Sequence, residues 1–227
     1  MVLLLTGPAE SVDAELLARV RAAHAAAAAA LVPIELTYES RYANGTITPG
    51  EYFEDLKCIR TAEWRREAFL ETRTSDGRSL TIYHNNKNAG VHAYWAPAFG
   101  NGKFQLLLHF YRQFDHGIIE CAPVDVILSG PHQMHACAWD QVDGRKMVRL
   151  ELTVSTLRYT WWLDPAVNFL VRRSTVDSPR NRRKAFKEVK EFKDLGDGVF
   201  MPMEAHFVPE GQSTPEVIIR VTGIRVG

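Results

Sequence analysis

The sequence has few cysteines and no excess of charge of either sign. Its three cysteines, Cys58, Cys121 and Cys137, are too few and too scattered for a disulfide framework or a zinc knuckle. Twenty-seven basic side chains balance twenty-seven acidic ones among 227 residues. A balanced chain has no general field that would attract nucleic acid or an anionic membrane. We therefore expect no nucleic-acid partner, and cysteines that act as small buried side chains.

Long apolar runs and catalytic motifs are also lacking. No stretch approaches the about 20 apolar residues that a membrane-spanning helix needs. The run Val2 to Leu5 is too short for a complete export signal, so we interpret residues 1–10 as a tail or the remnant of a signal, and residues 11–227 as one domain. Asp115-His116 is accompanied by no Gly-x-Ser-x-Gly elbow. We predict no catalytic residues.

The evidence for a metal site is also weak. The possible ligands are His132, His135, Cys137 and Asp140. On a strand, residues three apart point to opposite faces, so we expect only His135 and Cys137 to share a side. The spacing fits no standard ligand pattern. We predict no metal and no cofactor.

What the chain does contain is strand alternation. Between Met134 and Val176, two alternating segments meet at Asp143-Gly144, the strongest short-range hairpin signal. Val148, Leu150 and Leu152 fall on one face of the second segment and charged residues on the other. Repeated along the chain, this pattern predicts about 11–12 antiparallel strands in one curved sheet with one wet face.

Two segments are predicted to be helical. Ser11 to about Leu31 is alanine-rich with apolar residues at helical spacing, and we take Ser11 as its N-cap and Pro33 as its end. Gly102 to Asp115 interrupts the strands with a second helical stripe. A helix inserted there has to lie over the mouth or the concave face of the sheet. We interpret Thr46 to Tyr52 as a loop because it contains Pro49-Gly50.

Three segments together resemble the LolA/LolB-like superfamily of periplasmic lipoprotein carriers and their outer-membrane lipoprotein-sorting relatives. They are Leu16 to Tyr42, Val142 to Pro165, and Phe192 to Pro202 with its Asp197-Gly198 turn. The resemblance implies a mainly β fold with helices: a strongly curved antiparallel half-barrel with an N-terminal helix and a mid-chain helical lid. It also implies a periplasmic or otherwise exported protein, with a cytoplasmic one as the alternative.

The resemblance further implies that a lipid or acylated protein binds an apolar cavity, with a membrane-associated donor or acceptor protein as a possible partner and a monomeric state. Each buried methylene contributes about 0.8 kcal/mol, so such a cavity holds an acyl chain without hydrogen bonds. The residues that we expect to line the cavity and its lid are Leu36, Tyr38, Trp64, Trp95, Leu107, Phe110, Tyr111, Trp139, Tyr159 and Trp161.

A basic hairpin tip flanks Asp177-Ser178-Pro179. We expect its arginines to contact head groups or a partner, since guanidinium binds phosphate in a bidentate fork. These arginines are Arg172, Arg173, Arg182 and Arg183. The alternative, a solvated charge run at a turn, stays open.

Two other functions stay open. The same fold could be a protein-interaction or envelope-sensor module whose core is filled by its own side chains. A hydrolase that uses His and Asp residues between Phe114 and Met134 is the less favoured alternative.

Overall fold

Alternating apolar and polar residues fold nearly all of the described chain into extended strands. In the computed structural model, the strands within residues 59–95 are described by the course of their backbone. The described residues are 11–31, 33–54, 59–65, 68–75, 79–84, 91–95, 127–128, 130–154, 157–177 and 185–227.

One α-helix, α1 (Ala14–Ala30), precedes thirteen strands in this part of the chain. The strands are β1 (Ile34–Tyr42), β2 (Ile47–Glu54), β3 (Ile59–Arg65), β4 (Ala68–Ser75), β5 (Ser79–His84), β6 (Val91–Trp95), β7 (Gln133–Val142), β8 (Arg145–Val154), β9 (Leu157–Asp164), β10 (Leu170–Asp177), β11 (Ala185–Asp194), β12 (Phe200–Pro209) and β13 (Val217–Val226).

All thirteen strands form one antiparallel sheet whose chain path starts in the middle. Strands β1 to β6 run outward to one edge, and β7 to β13 run from the opposite edge back to pair with β1. The edge strands β6 and β7 do not pair, so the sheet is open. The meander is interrupted between Trp95 and Gln133, as predicted, and this segment links the two edges. The predicted helical lid, Gly102 to Asp115, lies outside the described residues.

The predicted fold class is confirmed: a mainly β, open antiparallel sheet with an N-terminal helix. The sheet has thirteen strands rather than about twelve. Its inner face, the face that carries α1, holds the core: Leu36, Leu150 and Trp161 belong to one cluster together with Leu16 and others of α1. The opposite, outer face carries most of the charged residues of the described strands.

The turn between β7 and β8 forms as its sequence predicts. Asp143 and Gly144 both have positive φ, of 50° and 77°. A type I′ turn requires this at both central residues, and its twist matches that of the flanking strands. The same pair of conformations recurs at Asp197-Gly198 between β11 and β12.

The extra strand is β2, which we had interpreted as a loop because of Pro49-Gly50. Pairing of β2 with β3 begins at Gly50, opposite Glu63. Pro49 therefore precedes the part of β2 that is paired on both sides, where a missing N–H is tolerated.

The turn between β3 and β4 has no marker in the sequence. The chain reverses between Arg65 and Ala68, and β3 pairs with β4. No Gly, Pro, Asn or Asp marks this reversal, so turn chemistry gave no signal.

The helix begins later than predicted. Asp13, not Ser11, is its N-cap, and the Asp13 carboxylate accepts the backbone N–H of Leu16 at 3.0 Å. Ser11 and Val12 are extended beside β7, with Val12 forming a parallel bridge to Cys137. The preceding segment thus continues the sheet before the helix leaves it.

Gly50 allows an aromatic side chain to lie flat on the inner face. It is opposite Tyr38 in the β1–β2 register. A Cβ atom at residue 50 would lie 2.3 Å from Cζ of the Tyr38 ring, far inside van der Waals contact. The absence of a side chain on β2 therefore provides the space for the Tyr38 ring.

We expect Gly50→Ala to lower the free energy of unfolding by about 1–3 kcal/mol, because the added methyl group displaces the Tyr38 ring. Ala in place of Gly within a strand is otherwise stabilising. Urea unfolding would measure the change. In a Tyr38→Leu background most of the cost should disappear; an equal cost in both backgrounds would contradict the contact.

Candidate functional site on the inner face of the sheet

A row of opposed side chains crosses the inner face from the β7 edge. Its first members are Cys137, Leu150, Trp161, Ser174 and Lys187, one from each of the strands β7 to β11. Directly opposed residues share a face, with Cβ atoms about 5 Å apart. All five are buried. The row is apolar up to Trp161 and polar at Ser174 and Lys187.

The row continues to β1 and ends in a mixed apolar and polar region. Lys187 is opposite Phe207, Phe207 is opposite Val217, and Val217 is opposite Tyr42. We call Tyr42, Ser174, Lys187, Phe207 and Val217 the inner corner. Val217 is buried, and Tyr42 and Phe207 are partly buried.

Four of the residues predicted for the cavity lie buried on the inner face: Leu36, Tyr38, Tyr159 and Trp161. The ring centroids of Tyr159 and Trp161 are 5.6 Å apart and the rings are tilted by 46°. Tilted pairs at this separation attract each other in addition to their burial. The inner face is thus aromatic next to the polar part of the row.

Helix α1 begins on the β7 edge. The backbone N–H of Asp13 donates to the Cys137 carbonyl at 3.0 Å, and the Cys137 N–H donates to the Ser11 carbonyl at 3.2 Å. Leu16 and Val20 are then buried in the core cluster. Burying one such side chain contributes about 1.5–3 kcal/mol.

The second half of α1 is alanine on both sides. Ala23 and Ala27 are buried against the sheet, and the solvent-facing positions are alanine too. The exposed members are Ala22, Ala25, Ala26, Ala29 and Ala30. Small side chains let the helix lie close to the sheet, but each contributes little apolar burial.

Polar side chains of α1 add contacts to the rest of the protein that the small alanines cannot make. The buried His24 ring donates from Nε2 to the carbonyl oxygen of Phe169 at 2.9 Å. Arg21 donates to the carbonyl of Leu128 at 3.2 Å. The Arg19 guanidinium lies 5.3 Å from the Phe169 ring centroid, within the range of a cation–π contact. These contacts attach the middle of α1 to the sheet and to residues 127–128.

The helix crosses the inner face diagonally. Its N-terminus lies beside Cys137, in the same row as Lys187 and Tyr42. Its C-terminal Leu31 is three residues before Ile34, at the opposite end of β1 from Tyr42. The inner corner therefore lies to one side of the helix, near the ends of β1 and β12 and the start of β11.

The Cys137 thiol lies under the start of α1. Its complete burial raises its pKa to about 11, Asp13 adds to the rise, and Arg21 opposes it. Only the thiolate is a good nucleophile, so this thiol is inert while the helix is docked.

We expect Cys137 to resist iodoacetamide at about pH 8 in the native protein. Val20→Asp places a charge at a fully buried position of α1 and should expose the thiol. Peptide mapping by mass spectrometry follows this residue separately from Cys58 and Cys121. Ala22→Asp, on the exposed side of the same helix, is the control. Equal alkylation in the two variants, both shown to be folded by circular dichroism, would mean that α1 does not cover Cys137.

Trp139 lies at the rim of the inner face. It is opposite Val148 in the register, yet 42% of its surface is exposed. The Lys146 ammonium lies 4.4 Å from its ring centroid, a cation–π contact. Trp139 thus lies at the exposed end of the inner face, and its role in a cavity stays a prediction.

Five further residues predicted for the cavity have no described side chain. Trp64 belongs to β3 and Trp95 to β6, where the backbone is described. Leu107, Phe110 and Tyr111 lie outside the described residues, as do Arg182 and Arg183.

The two described arginines of the basic hairpin make ion pairs within the sheet. Arg172 Nε lies 2.6 Å from the Asp164 carboxylate, and Arg173 lies 2.5 Å from the Asp143 carboxylate. Arg173 also lies 3.4 Å from the Glu188 carboxylate. These intramolecular pairs already occupy the guanidinium groups that we predicted to contact head groups.

The suspected metal ligands do not converge. A bulge at His135 turns its ring toward Thr153 of the outer face, where Nε2 and Oγ1 are 2.8 Å apart. Cys137 faces inward opposite Leu150, so the prediction that His135 and Cys137 share a side is wrong. Asp140 accepts the Trp162 indole N–H at 2.9 Å. Within the part of the chain that the structure describes, no three His, Cys, Asp or Glu side chains form a possible metal site.

An ion-pair network on the outer face joins β12 to β13. Glu204 accepts from His206 at 2.7 Å and from Arg220. Burial alone would raise the pKa of Glu204, but the hydrogen bonds from His206 and Arg220 outweigh it and lower the pKa. A carboxylate with a lowered pKa stabilises the fold above its unfolded pKa, and this contribution is lost as the pH falls through the folded value.

We therefore expect Glu204→Gln to lose stability at neutral pH by about 1 kcal/mol. The variant and wild type should converge in acid, well below the usual carboxyl pKa of 4.5. Urea unfolding at neutral pH and in acid would measure this, with Glu210→Gln in the exposed turn after β12 as the control. A constant difference across pH would contradict the role of the Glu204 charge.

A groove of about 360 Å³ opens on the outer face near β1, β2 and β13. An ion pair between Glu35 and Arg225 lies beside it, and Phe53 and Glu51 line it as well. Its lining mixes these charged residues with the apolar and aromatic residues Leu36, Tyr52, Phe53 and Ile224.

The geometry defines a class of structure: an open antiparallel half-barrel with a helix across its inner face. No protein-family model matches the chain, and no curated protein matches it in sequence. No described helix is long and apolar enough to cross a membrane.

Several solved structures are similar to this chain. An outer membrane lipoprotein-sorting protein domain from Vibrio parahaemolyticus is similar to this chain with a TM-score of 0.57 and 13% identity, over 94% of this chain and 93% of that one. An uncharacterized conserved protein from Thermus thermophilus gives 0.38 and 7%, over 94% and 86%. The Mycobacterium tuberculosis lipoprotein LppX gives 0.34 and 10%, over 95% and 100%. The match to the Vibrio domain shows that the chain has the LolA-like fold, and the resemblance seen in the sequence is confirmed at the level of the fold.

Sequence reasoning did not single out Lys187, Ser174 or His24. The sequence signal that Lys187 faces inward is its spacing of two residues from the apolar Val189, which places both on one face of β11. The adjacent Phe186 is also apolar but faces outward, so from the sequence alone it would suggest that Lys187 faces outward.

Proposed function

We propose that this protein is a non-enzymatic carrier or binder of a lipid or of an acylated protein. The observation that carries the proposal is the continuous apolar and aromatic inner face of an open sheet, covered on one diagonal by a helix with small side chains. Such a face can accept acyl chains without directional bonding.

The comparison with the Vibrio domain supports this proposal, because that protein is described as lipoprotein-sorting and its fold matches over nearly all of both chains. The proposal includes a location in the periplasm or elsewhere outside the cytoplasm, and a membrane-associated protein that donates or accepts the ligand. It also includes a monomeric protein.

A second candidate, a protein-interaction or sensor module, is favoured by one observation. In the described strands β7 to β13 and in β1, the inner face is already occupied by its own side chains and by α1. Trp161, for example, is only 1% exposed. If α1 never moves, this half of the sheet is a filled core.

Lipid extraction followed by mass spectrometry separates the two. A carrier purified from a cell membrane fraction or reloaded with lipid releases acyl compounds in a defined molar ratio, whereas a filled module releases none above the level of an unrelated control protein. The second result would contradict the carrier function.

We also expect Phe207→Ala, in the inner corner, to weaken binding of a fluorescent fatty acid such as cis-parinaric acid by about tenfold, because the ring's apolar contact is lost. Phe186→Ala is the matched control, since Phe186 lies on the outer face under Arg173 at 5.3 Å. Equal losses in the two variants would argue against binding at the inner corner. Fluorescence titration measures both.

A further inference from the structure

The turn between β1 and β2 has an exposed asparagine directly before a glycine. The backbone N–H of Gly45 donates to the Tyr42 carbonyl at 2.9 Å, and the N–H of Tyr42 donates to the Thr46 carbonyl at 2.9 Å. Gly45 has a φ of 80°, a conformation that glycine adopts without steric cost. Asn44 thus lies at the tip of a tight hairpin with its side chain at the surface.

The side chain of Asn44 is folded back onto this turn. Its Oδ1 accepts the backbone N–H of Thr46 at 3.0 Å, which is an Asx turn. This hydrogen bond polarises the side-chain carbonyl. It is also aimed at the oxygen on which negative charge develops when a nucleophile attacks Cγ of Asn44.

The backbone nitrogen of Gly45 is the nucleophile that can reach this carbon through a small ring. Gly45 is exposed, and no atom of the described residues lies within 4 Å of the place where its Cβ would be. The nitrogen is therefore not crowded by a side chain of its own residue or by the rest of the protein, and water has access to both residues.

We propose that Asn44 deamidates spontaneously in the folded protein, through a succinimide formed with Gly45. Hydroxide removes the proton of the Gly45 N–H, which first has to leave the Tyr42 carbonyl. The nitrogen then forms a bond to Cγ of Asn44, and the side-chain amide nitrogen takes up a proton and leaves as ammonia. This inference does not depend on the proposed lipid-binding function.

Water then opens the succinimide in one of two ways. Attack at Cγ breaks the bond that had formed and leaves an aspartate. Attack at the backbone carbonyl carbon of residue 44 breaks the original peptide bond and leaves an isoaspartate, in which the main chain runs through the side-chain methylene. Either product adds a negative charge to a chain whose basic and acidic residues balance.

The two products differ in their effect on the sheet. Aspartate keeps an oxygen that accepts the Thr46 N–H. Isoaspartate lengthens the main chain between Tyr42 and Thr46, whose hydrogen bond closes the hairpin, and next to Ala43, whose N–H donates to the Glu216 carbonyl at 2.8 Å. The isoaspartate form should therefore unfold at a lower urea concentration than the aspartate form.

The other hairpin turns that the structure describes have aspartate in place of asparagine. In the β7–β8 turn the Asp143 carboxylate lies 2.5 Å from Arg173. An ionised carboxylate is a much poorer electrophile than a neutral amide. Asn44 is therefore the residue that we assign to this reaction, and not Asp143.

The test follows two asparagines in one sample of the purified full chain, kept folded in mildly alkaline buffer. Tryptic peptides 42–57 and 159–172 each contain a single asparagine, Asn44 and Asn168. Asn168 precedes the buried Phe169, whose N–H donates to the Asp164 carbonyl at 2.9 Å. Mass spectrometry should show conversion at Asn44 at least about tenfold faster than at Asn168, with aspartate and isoaspartate as products.

Gly45→Ala places a methyl group beside the attacking nitrogen and should slow the conversion of Asn44 by about tenfold. Gly144→Ala is the matched control, because Gly144 has a similar φ of 77° and similarly open surroundings in the β7–β8 turn. It should leave the rate at Asn44 unchanged. Circular dichroism confirms that both variants are folded.

Three results would overturn the inference. One is an Asn44 that stays intact in the folded chain while a synthetic peptide of residues 42–57 converts, which means that the fold protects it and requires no variant. Another is equal conversion at Asn44 and Asn168. The last is a folded Gly45→Ala variant that converts at the rate of the wild type.

Discussion

The structure depends on the covering of one face of an open sheet. A closed barrel fills its interior with its own side chains, but β6 and β7 do not pair, and the inner face would otherwise meet water. Helix α1 covers part of it by inserting Leu16 and Val20, and by placing Ala23 and Ala27 close to the strands. Because alanine buries little area, the buried hydrogen bond from His24 to Phe169 becomes a large part of the attachment of the second half of the helix. Leu31, just after the helix, is buried in the same core cluster and holds the C-terminal end of the helix to the sheet.

The two faces of the sheet are stabilised by different interactions. On the outer face, cross-strand acids and bases such as Glu204 and Arg220 neutralise one another at the surface, where each pair contributes little stability but keeps the wet face free of apolar patches. On the inner face, Trp161, Leu150 and Val148 are buried and stabilise the fold by non-directional apolar packing. In β1 and β7–β13 the separation follows from the side-chain period of a strand, which is two, so one register assigns each residue to a face.

That period also explains how much could be predicted from the sequence. Alternation and the Asp143-Gly144 turn are local signals, and they predicted most of the strands, whereas the pairing of β1 with β13 joins distant parts of the chain and had no local signal. The strand β2 was missed because Pro49 suggests a loop, whereas Pro49 pairs only with β1 and precedes the residues that pair with β3, so its missing N–H is tolerated. The N-cap at Asp13 was missed because Ser11 is equally suited locally, and only the bridge of Val12 to Cys137, distant in sequence, decides between them.

Bulges account for the harder errors at the site. The extra residue at His135 reverses the faces of the residues before and after it, so counting by twos from Cys137 assigned its ring to the wrong side. A bulge after Val189 has the same effect on β11, where the run Ala185 to Lys190 has apolar residues at both parities. Only the pairing partners Ser174 and Phe207 show that Lys187 points inward. Neither bulge has a marker in the sequence, because neither contains a glycine.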